Sequence, residues 1–255
     1  GKEVYLYNRD PVPEQLRFLP RAASVQQVLP KGVRFDATFV TDTAARALLP
    51  RQFPPRSVTG PVVILDHHVA HDDFGDIVVR DSQACATAVV VLRLASALGV
   101  DPLPRTASAP LYTALVADTG GFRYPGTTAQ TLRTAADLLE TGVDPWQVAS
   151  QVFEGWSMAR MRLLGLAINA IQTEYDGKVA VVSVPLSMFT EAGASDDMAE
   201  GLVEYGRMLK GVEIAAMLWE RRARADEVCE GSTLTRLSLR SAGKADVAKI
   251  EIGRA

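Results

Sequence analysis

The stretch Val62-Val63-Ile64-Leu65-Asp66-His67-His68 passes from an unbroken apolar run straight into a carboxylate and two imidazoles. Val62 to Leu65 is a short apolar run, which predicts a strand. Val4 to Tyr7 and Ala37 to Thr41 read the same way, and the second of these runs directly into Asp42. Such strands, alternating with helical segments, predict an α/β fold with a largely parallel sheet. Open parallel sheets bind ligands beyond the carboxyl ends of their strands. Asp42 and Asp66-His67-His68 both stand at such ends.

Working outward, Pro11, Pro13, Pro20, Pro30, Pro50, Pro54, Pro55 and Pro61 preclude long helices in the first sixty or so residues. Ala84 to Leu98, stopped by Gly99, predicts a buried helix with a glycine C-cap, although its valines leave a strand open. Ser108 and Pro110 mark the start of a helix over Leu111 to Ala117 that delivers Asp118 into the turn Gly120-Gly121. Thr128 to Glu140 carries Leu132, Ala135, Leu138 and Leu139 at helical spacing. Asp144-Pro145 caps a further helix ending near Gly155, and Met158, Met161, Leu164, Ile168 and Ile171 mark another.

From Asp176-Gly177 the texture changes. Strands over Lys178 to Val184, Val212 to Glu220 and Leu234 to Leu239 surround a helix near Met198 to Met208. The predicted organisation is therefore an α/β domain over 1–155, a connector helix over 156–175, and a smaller α+β domain over 176–255. Arg221, Arg222 and Arg224 are read as a solvated hairpin loop rather than a substrate contact.

Bulk properties narrow the function. A net charge of −3 over 255 residues exerts no global pull on nucleic acid, which argues against long duplex partners and assigns any polyanionic substrate to a local site. Cys85 and Cys229 lack CxxC spacing, which fits a reducing cytoplasm. No apolar run reaches the roughly 18 to 20 residues of a membrane span, and Gly1 to Asp10 resembles no signal peptide, so neither export nor membrane insertion is expected.

All three histidines, His67, His68 and His71, fall within five positions. Imidazole nitrogen beside carboxylate oxygen suits manganese, zinc or iron, whereas soft sites would demand thiolates. Asp42 alone is equally a helix or turn cap. Asp118 is more pointed, because Gly120 and Gly121 let backbone approach a ligand and Arg123 is placed to reach a phosphate. His71 is read as a surface loop residue.

Taken in order, Asp42, then Leu65-Asp66-His67-His68, then Leu111 through Asp118-Thr119-Gly120-Gly121-Phe122-Arg123-Tyr124 resemble the DHH phosphoesterases, in their nanoRNase and pAp phosphatase branch. The likeness covers nearly the whole chain. Gly211-Val212-Glu213-Ile214-Ala215, Leu237-Ser238-Leu239-Arg240-Ser241 and Asp246-Val247-Ala248 resemble the DHH-associated C-terminal domain.

This resemblance implies a two-metal phosphoesterase using Mn2+, with Mg2+ the alternative, acting on short single-stranded RNA or on pAp. Asp42 and Asp118 would bridge the ions and His67 would be a terminal ligand. Asp66 would orient the histidines, and His68 would contact the scissile phosphate or protonate the leaving oxygen. Arg240 and Ser241 would grip a phosphate or nucleotide end, and Arg123 is an open candidate for the same task. A cyclic- or linear-dinucleotide phosphodiesterase and a non-catalytic nucleotide-binding regulator stay open, as does a homodimer.

Two motifs of the family are absent: an N-terminal histidine followed by Pro-Asp-x-Asp, since no histidine precedes His67, and a C-terminal Gly-Gly-Gly-His. The expectation is a piece of a longer active parent, which by itself binds manganese weakly and hydrolyses little. A domain that has lost catalysis is the competing expectation.

Overall fold

A computed structural model describes residues 2–50, 52–100, 102–223, 232–243, 245 and 247. Arg224, Cys229, Asp246 and Ala248 lie outside the described residues. Two units, 1–155 and 156–255, divide the chain.

In the first unit, strands β1 (Leu6–Tyr7) and β2 (Val25–Gln26) form a short parallel ladder. The sheet that matters for the site is β3 (Thr38–Thr41), β4 (Val62–Asp66) and β5 (Ile77–Arg80), all parallel, with β4 central. Central position explains the apolar run of β4: Val62, Ile64, Leu65 and Asp66 are all buried. The short helix α1 (Arg56–Thr59) ends at Gly60, whose φ of +62° and whose approach to the carbonyl oxygens of Phe35 and Asp36 leave no room for a side chain.

Helix α2 (Thr87–Ala97) settles the open reading of the Ala84 to Leu98 segment. Helix α3 (Arg105–Asp118) corrects the start expected at Ser108 and Pro110: the helix begins earlier and contains Pro110. Ser108, Tyr112, Leu115, Val116 and Thr119 are buried at helical spacing. Burial along that face outweighs the local cost of a proline inside a helix.

Helices α4 (Ala129–Glu140) and α5 (Pro145–Phe153) begin at Thr128, in a capping box with Thr131, and at Asp144, whose carboxylate accepts from the amides of Trp146 and Gln147. Ala135, Leu138, Val143 and Val148 join Tyr112, Leu115 and Val116 in one core.

In the second unit, helix α6 (Met158–Asn169) is capped by Ser157 and contributes Leu163, Leu164 and Ala167 to the unit's core, so the segment expected as a connector packs within this unit. A sheet of order β6 (Gln172–Glu174), β7 (Val179–Val184), β8 (Ile214–Arg222) and β9 (Thr233–Ser241) pairs β7 with β8 in parallel and its outer strands antiparallel. Helices α7 (Leu186–Ala192) and α8 (Val203–Arg207) complete it. The single helix expected over Met198 to Met208 is instead a 3-10 turn over Asp196–Ala199 and then α8, divided by Gly201 at a φ of +84°.

The basic cluster also differs from its reading as a solvated loop. Strand β8 runs on through Arg221 and Arg222, and Arg221 is only 4% exposed. Alternation places Ala215, Met217, Trp219 and Arg221 on one buried face. Among the described residues, no helix is long and apolar enough to cross a membrane.

Candidate active site

Parallel pairing of β3 with β4 sets Thr41 beside Leu65, so the residues that follow each strand emerge together at one sheet edge. The Asp42 amide donates to the Leu65 carbonyl at 3.0 Å. Asp42 itself has a φ of +55°, a conformation that aspartate tolerates better than most residues. Its Oδ1 accepts the Thr87 hydroxyl at 2.7 Å, from the first position of α2.

Asp66 is fully buried, yet its Oδ1 accepts three hydrogen bonds: from the amides of His67 at 2.5 Å and His68 at 2.8 Å, and from Nδ1 of His68 at 2.6 Å. Burial pushes its carboxyl up, but the bonds from His68 and His67 outweigh that and hold it below the ordinary carboxylate range. An ionised acceptor is thus the hub of the histidine turn. His68, bound through Nδ1, keeps Nε2 on the opposite edge of its ring.

The His67 ring is fixed from behind. Its Nδ1 stands 3.1 Å from the Ala84 carbonyl, and because a carbonyl only accepts, Nδ1 carries the hydrogen. In the neutral ring Nε2 is then a bare lone pair, and it lies 3.6 Å from Asp42 Oδ1 and 3.8 Å from Asp118 Oδ2. A histidine held by a backbone carbonyl with its other nitrogen presented to carboxylates has the form of a metal ligand.

Asp118 ends α3, and its turn is tightly specified. Gly120, Gly121 and Phe122 have φ of +57°, +70° and +64°. Thr119 donates its hydroxyl to Leu115 O at 2.6 Å and accepts the Phe122 amide at 2.9 Å. A side chain at Gly120 would run into the ring of Tyr124. Burial and the neighbouring Asp42 carboxylate push Asp118 up to about 6, against the opposing pull of His67 and His68.

Asp42, His67 and His68 each offer a ligand atom within 4.8 Å of the others, and Asp118 adds a carboxylate facing His67. Without a cation, two carboxylates and an imidazole lone pair repel one another; a divalent cation turns that repulsion into coordination. Nitrogen and oxygen donors together suit first-row divalent metals. The residues fit such an ion.

Arg123 belongs to the same unit, but its Nε is committed to the Gly120 carbonyl at 2.5 Å and its guanidinium stands over Phe153. Arg240 and Ser241 belong to the second unit, at the end of β9. The Arg240 Nε donates to Glu204 Oε1 at 2.8 Å, and Glu204 Oε2 accepts from Arg207 at 2.7 Å. The Ser241 hydroxyl oxygen accepts the amides of Gly243 at 3.0 Å and Ala245 at 3.2 Å.

Sequence reasoning missed three participants. Thr87 anchors Asp42. Arg80 donates to the carbonyls of Val69 at 2.9 Å and His68 at 3.3 Å, tying β5 to the histidine turn. His71, expected on the surface, has a side chain with no exposure and stacks on Phe74 at 5.8 Å between ring centres. The signal for Phe74 as its partner, an aromatic three residues on, was present in the sequence.

No family model matches the chain. Over 226 residues it is 31% identical to the bifunctional oligoribonuclease and PAP phosphatase NrnA of Thermus thermophilus, an alignment covering 87% of this chain and 64% of that protein. This likeness accords with the DHH phosphoesterase motifs that the sequence resembles. A second relative, the probable bifunctional oligoribonuclease and PAP phosphatase NrnA of Streptococcus mutans, is 31% identical over 131 residues, 51% of this chain and 41% of that protein. The chain thus spans less than two thirds of the length of either relative. Its fold is that of an exopolyphosphatase-related protein from Bacteroides fragilis, with a TM-score of 0.73 and 21% identity over 91% of this chain and 68% of that one.

Proposed function

We propose that this chain serves a metal-dependent phosphoesterase that hydrolyses short single-stranded oligoribonucleotides and removes the 3′ phosphate of pAp in the cytoplasm. The observation that carries the reading is the His67 ring, with Nδ1 on the Ala84 carbonyl and Nε2 turned to Asp42 and Asp118. The relatives' names supply the substrate class.

In this reading Asp42, Asp118 and His67 would hold divalent ions, Mn2+ or alternatively Mg2+, which would activate water and neutralise charge on the phosphoryl oxygens. Thr87 fixes the Asp42 carboxylate for that task, and Asp66 fixes the histidine turn. His68, held through Nδ1 by Asp66, contacts the scissile phosphate through its other ring nitrogen or, when that nitrogen is protonated as well, gives its proton to the oxygen that departs from phosphorus. Arg240 and Ser241 hold a second phosphate of the substrate, which requires Glu204 to share or release the guanidinium. Arg123 supports the Asp118 turn through Gly120 and is the further candidate for a phosphate contact.

The whole protein that contains this chain is expected, with manganese, to release mononucleotides from an RNA dinucleotide and inorganic phosphate from pAp, and Asp118→Ala in it is expected to abolish both. Turnover that survives Asp118→Ala, or the absence of metal-dependent turnover on both substrates, overturns the reading.

A further inference from the structure

Behind the histidine turn lies a contact that the phosphoesterase reading leaves unused. The second carboxylate oxygen of Asp66, Oδ2, is buried and has no hydrogen-bond partner, and the same holds for Nε2 of His71. These two atoms face each other at 3.6 Å. That separation stands beyond an ordinary hydrogen bond, and each atom is shut off from solvent with the other as its polar neighbour.

The chemistry fixes which atom carries hydrogen. Asp66 Oδ1 already accepts three donors, so the carboxylate is ionised, and an imidazole lone pair aimed at Oδ2 would add repulsion to the cost of burial. Nε2 of His71 therefore bears the hydrogen. At the other edge of the ring, Nδ1 stands 2.8 Å from the Asp73 amide and 2.9 Å from the Asp73 carboxylate, so it serves as acceptor to the first or donor to the second, and the hydrogen at Nε2 is assigned from the Asp66 contact alone.

The surroundings hold the ring in place. Phe74 stacks on it nearly parallel, at 9°. The Asp73 carboxylate stands 2.9 Å from Nδ1 and 3.8 Å from Nε of Arg80, whose NH1 holds the carbonyls of Val69 and His68. Asp72 fastens the same loop to the segment after Asp42, through its amide on Ala44 O at 3.1 Å and its carboxylate on the Arg46 amide at 2.9 Å.

We propose that His71 is a positioning residue that acts through Asp66: its Nε2–H opposes Oδ2 and prevents the carboxylate from rotating away from the amides and ring that it holds in His67 and His68. His71 touches no reacting group. It sets the orientation of those that do.

This inference rests on the phosphoesterase reading for its kinetic arm only, so a spectroscopic arm is run alongside. The chain has three histidines, so a 15N-histidine long-range spectrum of the metal-free protein resolves each ring. His71 is expected as the Nε2–H tautomer, with its Nε2 signal shifting on Asp66→Asn. His71→Phe retains a ring over Phe74 but removes the donor. It is expected to shift the His68 Nδ1 signal and to lower kcat on an RNA dinucleotide about 10- to 100-fold with little change in KM. His71→Gln, which restores an N–H donor, is expected to recover part of kcat.

A bare Nε2 in the wild-type spectrum overturns the proposal without need of any variant. So does a His71→Phe protein whose His68 signal and kcat match the wild type. Loss of all phosphoesterase activity in the wild type, with the spectroscopic shifts intact, rejects the functional reading and upholds the positioning contact.

Discussion

The Thr87 hydroxyl donates to Oδ1 of Asp42 at 2.7 Å, joining two residues 45 positions apart and tying the first turn of α2 to the end of β3. Partners that orient a metal ligand typically contribute about 10- to 100-fold in metal affinity. Thr87→Val keeps the buried shape and removes the donor. Calorimetry with Mn2+ is expected to show weakening of about tenfold, and an unchanged affinity would remove Thr87 from the site.

Gly120 is where the Asp118 turn is least forgiving, with a φ of +57° and the Tyr124 ring where a methyl would go. Gly120→Ala is expected to destabilise the protein by about 1 to 3 kcal/mol, since strained backbone and overpacking both act there. Urea denaturation measures it, and a stability within about 0.5 kcal/mol of wild type contradicts the account.

The Glu204 carboxylate occupies Arg240, and a phosphate must compete with it for that guanidinium. Glu204→Gln is therefore expected to tighten pAp binding severalfold, read by calorimetry in low salt. Unchanged or weaker binding would take Arg240 out of the proposed phosphate site.

Asp76 gives the pH dependence of stability a definite sign. The Val62 amide donates to its carboxylate at 2.7 Å and Arg56 pairs with it at 2.8 Å; together they outweigh partial burial and hold it below the ordinary value of 3.8. A depressed carboxyl stabilises the fold above 3.8 and ceases to do so as pH falls through the folded value. Melting temperatures from about pH 7 down to about pH 2 should fall less steeply at the acid end for Asp76→Asn than for the wild type. Parallel curves would contradict this.

The sequence made the carboxyl-terminal edge of the first sheet legible because β4 is largely buried and is apolar from Val62 to Leu65, and because the residues that follow change character abruptly. Strand β5 escaped notice for the opposite reason. Ile77 and Val79 are exposed, at 53% and 38%, and its apolar run is short and flanked by charge. The start of α3 was misplaced because Pro110 is a strong local signal that burial overrides.

Arg221 and His71 were both taken for surface residues. Polarity is a good guide to exposure only where no partner or strand alternation draws the side chain inward, and neither is visible in the one-dimensional chain. The same holds for the Thr87 to Asp42 and Glu204 to Arg240 pairs, which depend on tertiary approach. What the order of motifs did carry was the likeness to the relatives and the set of residues that the first sheet gathers at one edge.

The pairing of Thr41 with Leu65 has a further consequence. A slip of one position between β3 and β4 would turn every side chain of β3 to the other face of the sheet and carry Asp42 off His67. The distance between those two residues is thus a gauge of strand alignment. A misaligned sheet, even one that still hides its valines from water, would scatter the donors that the aligned one gathers, so metal affinity in a population of molecules would count the correctly zipped ones.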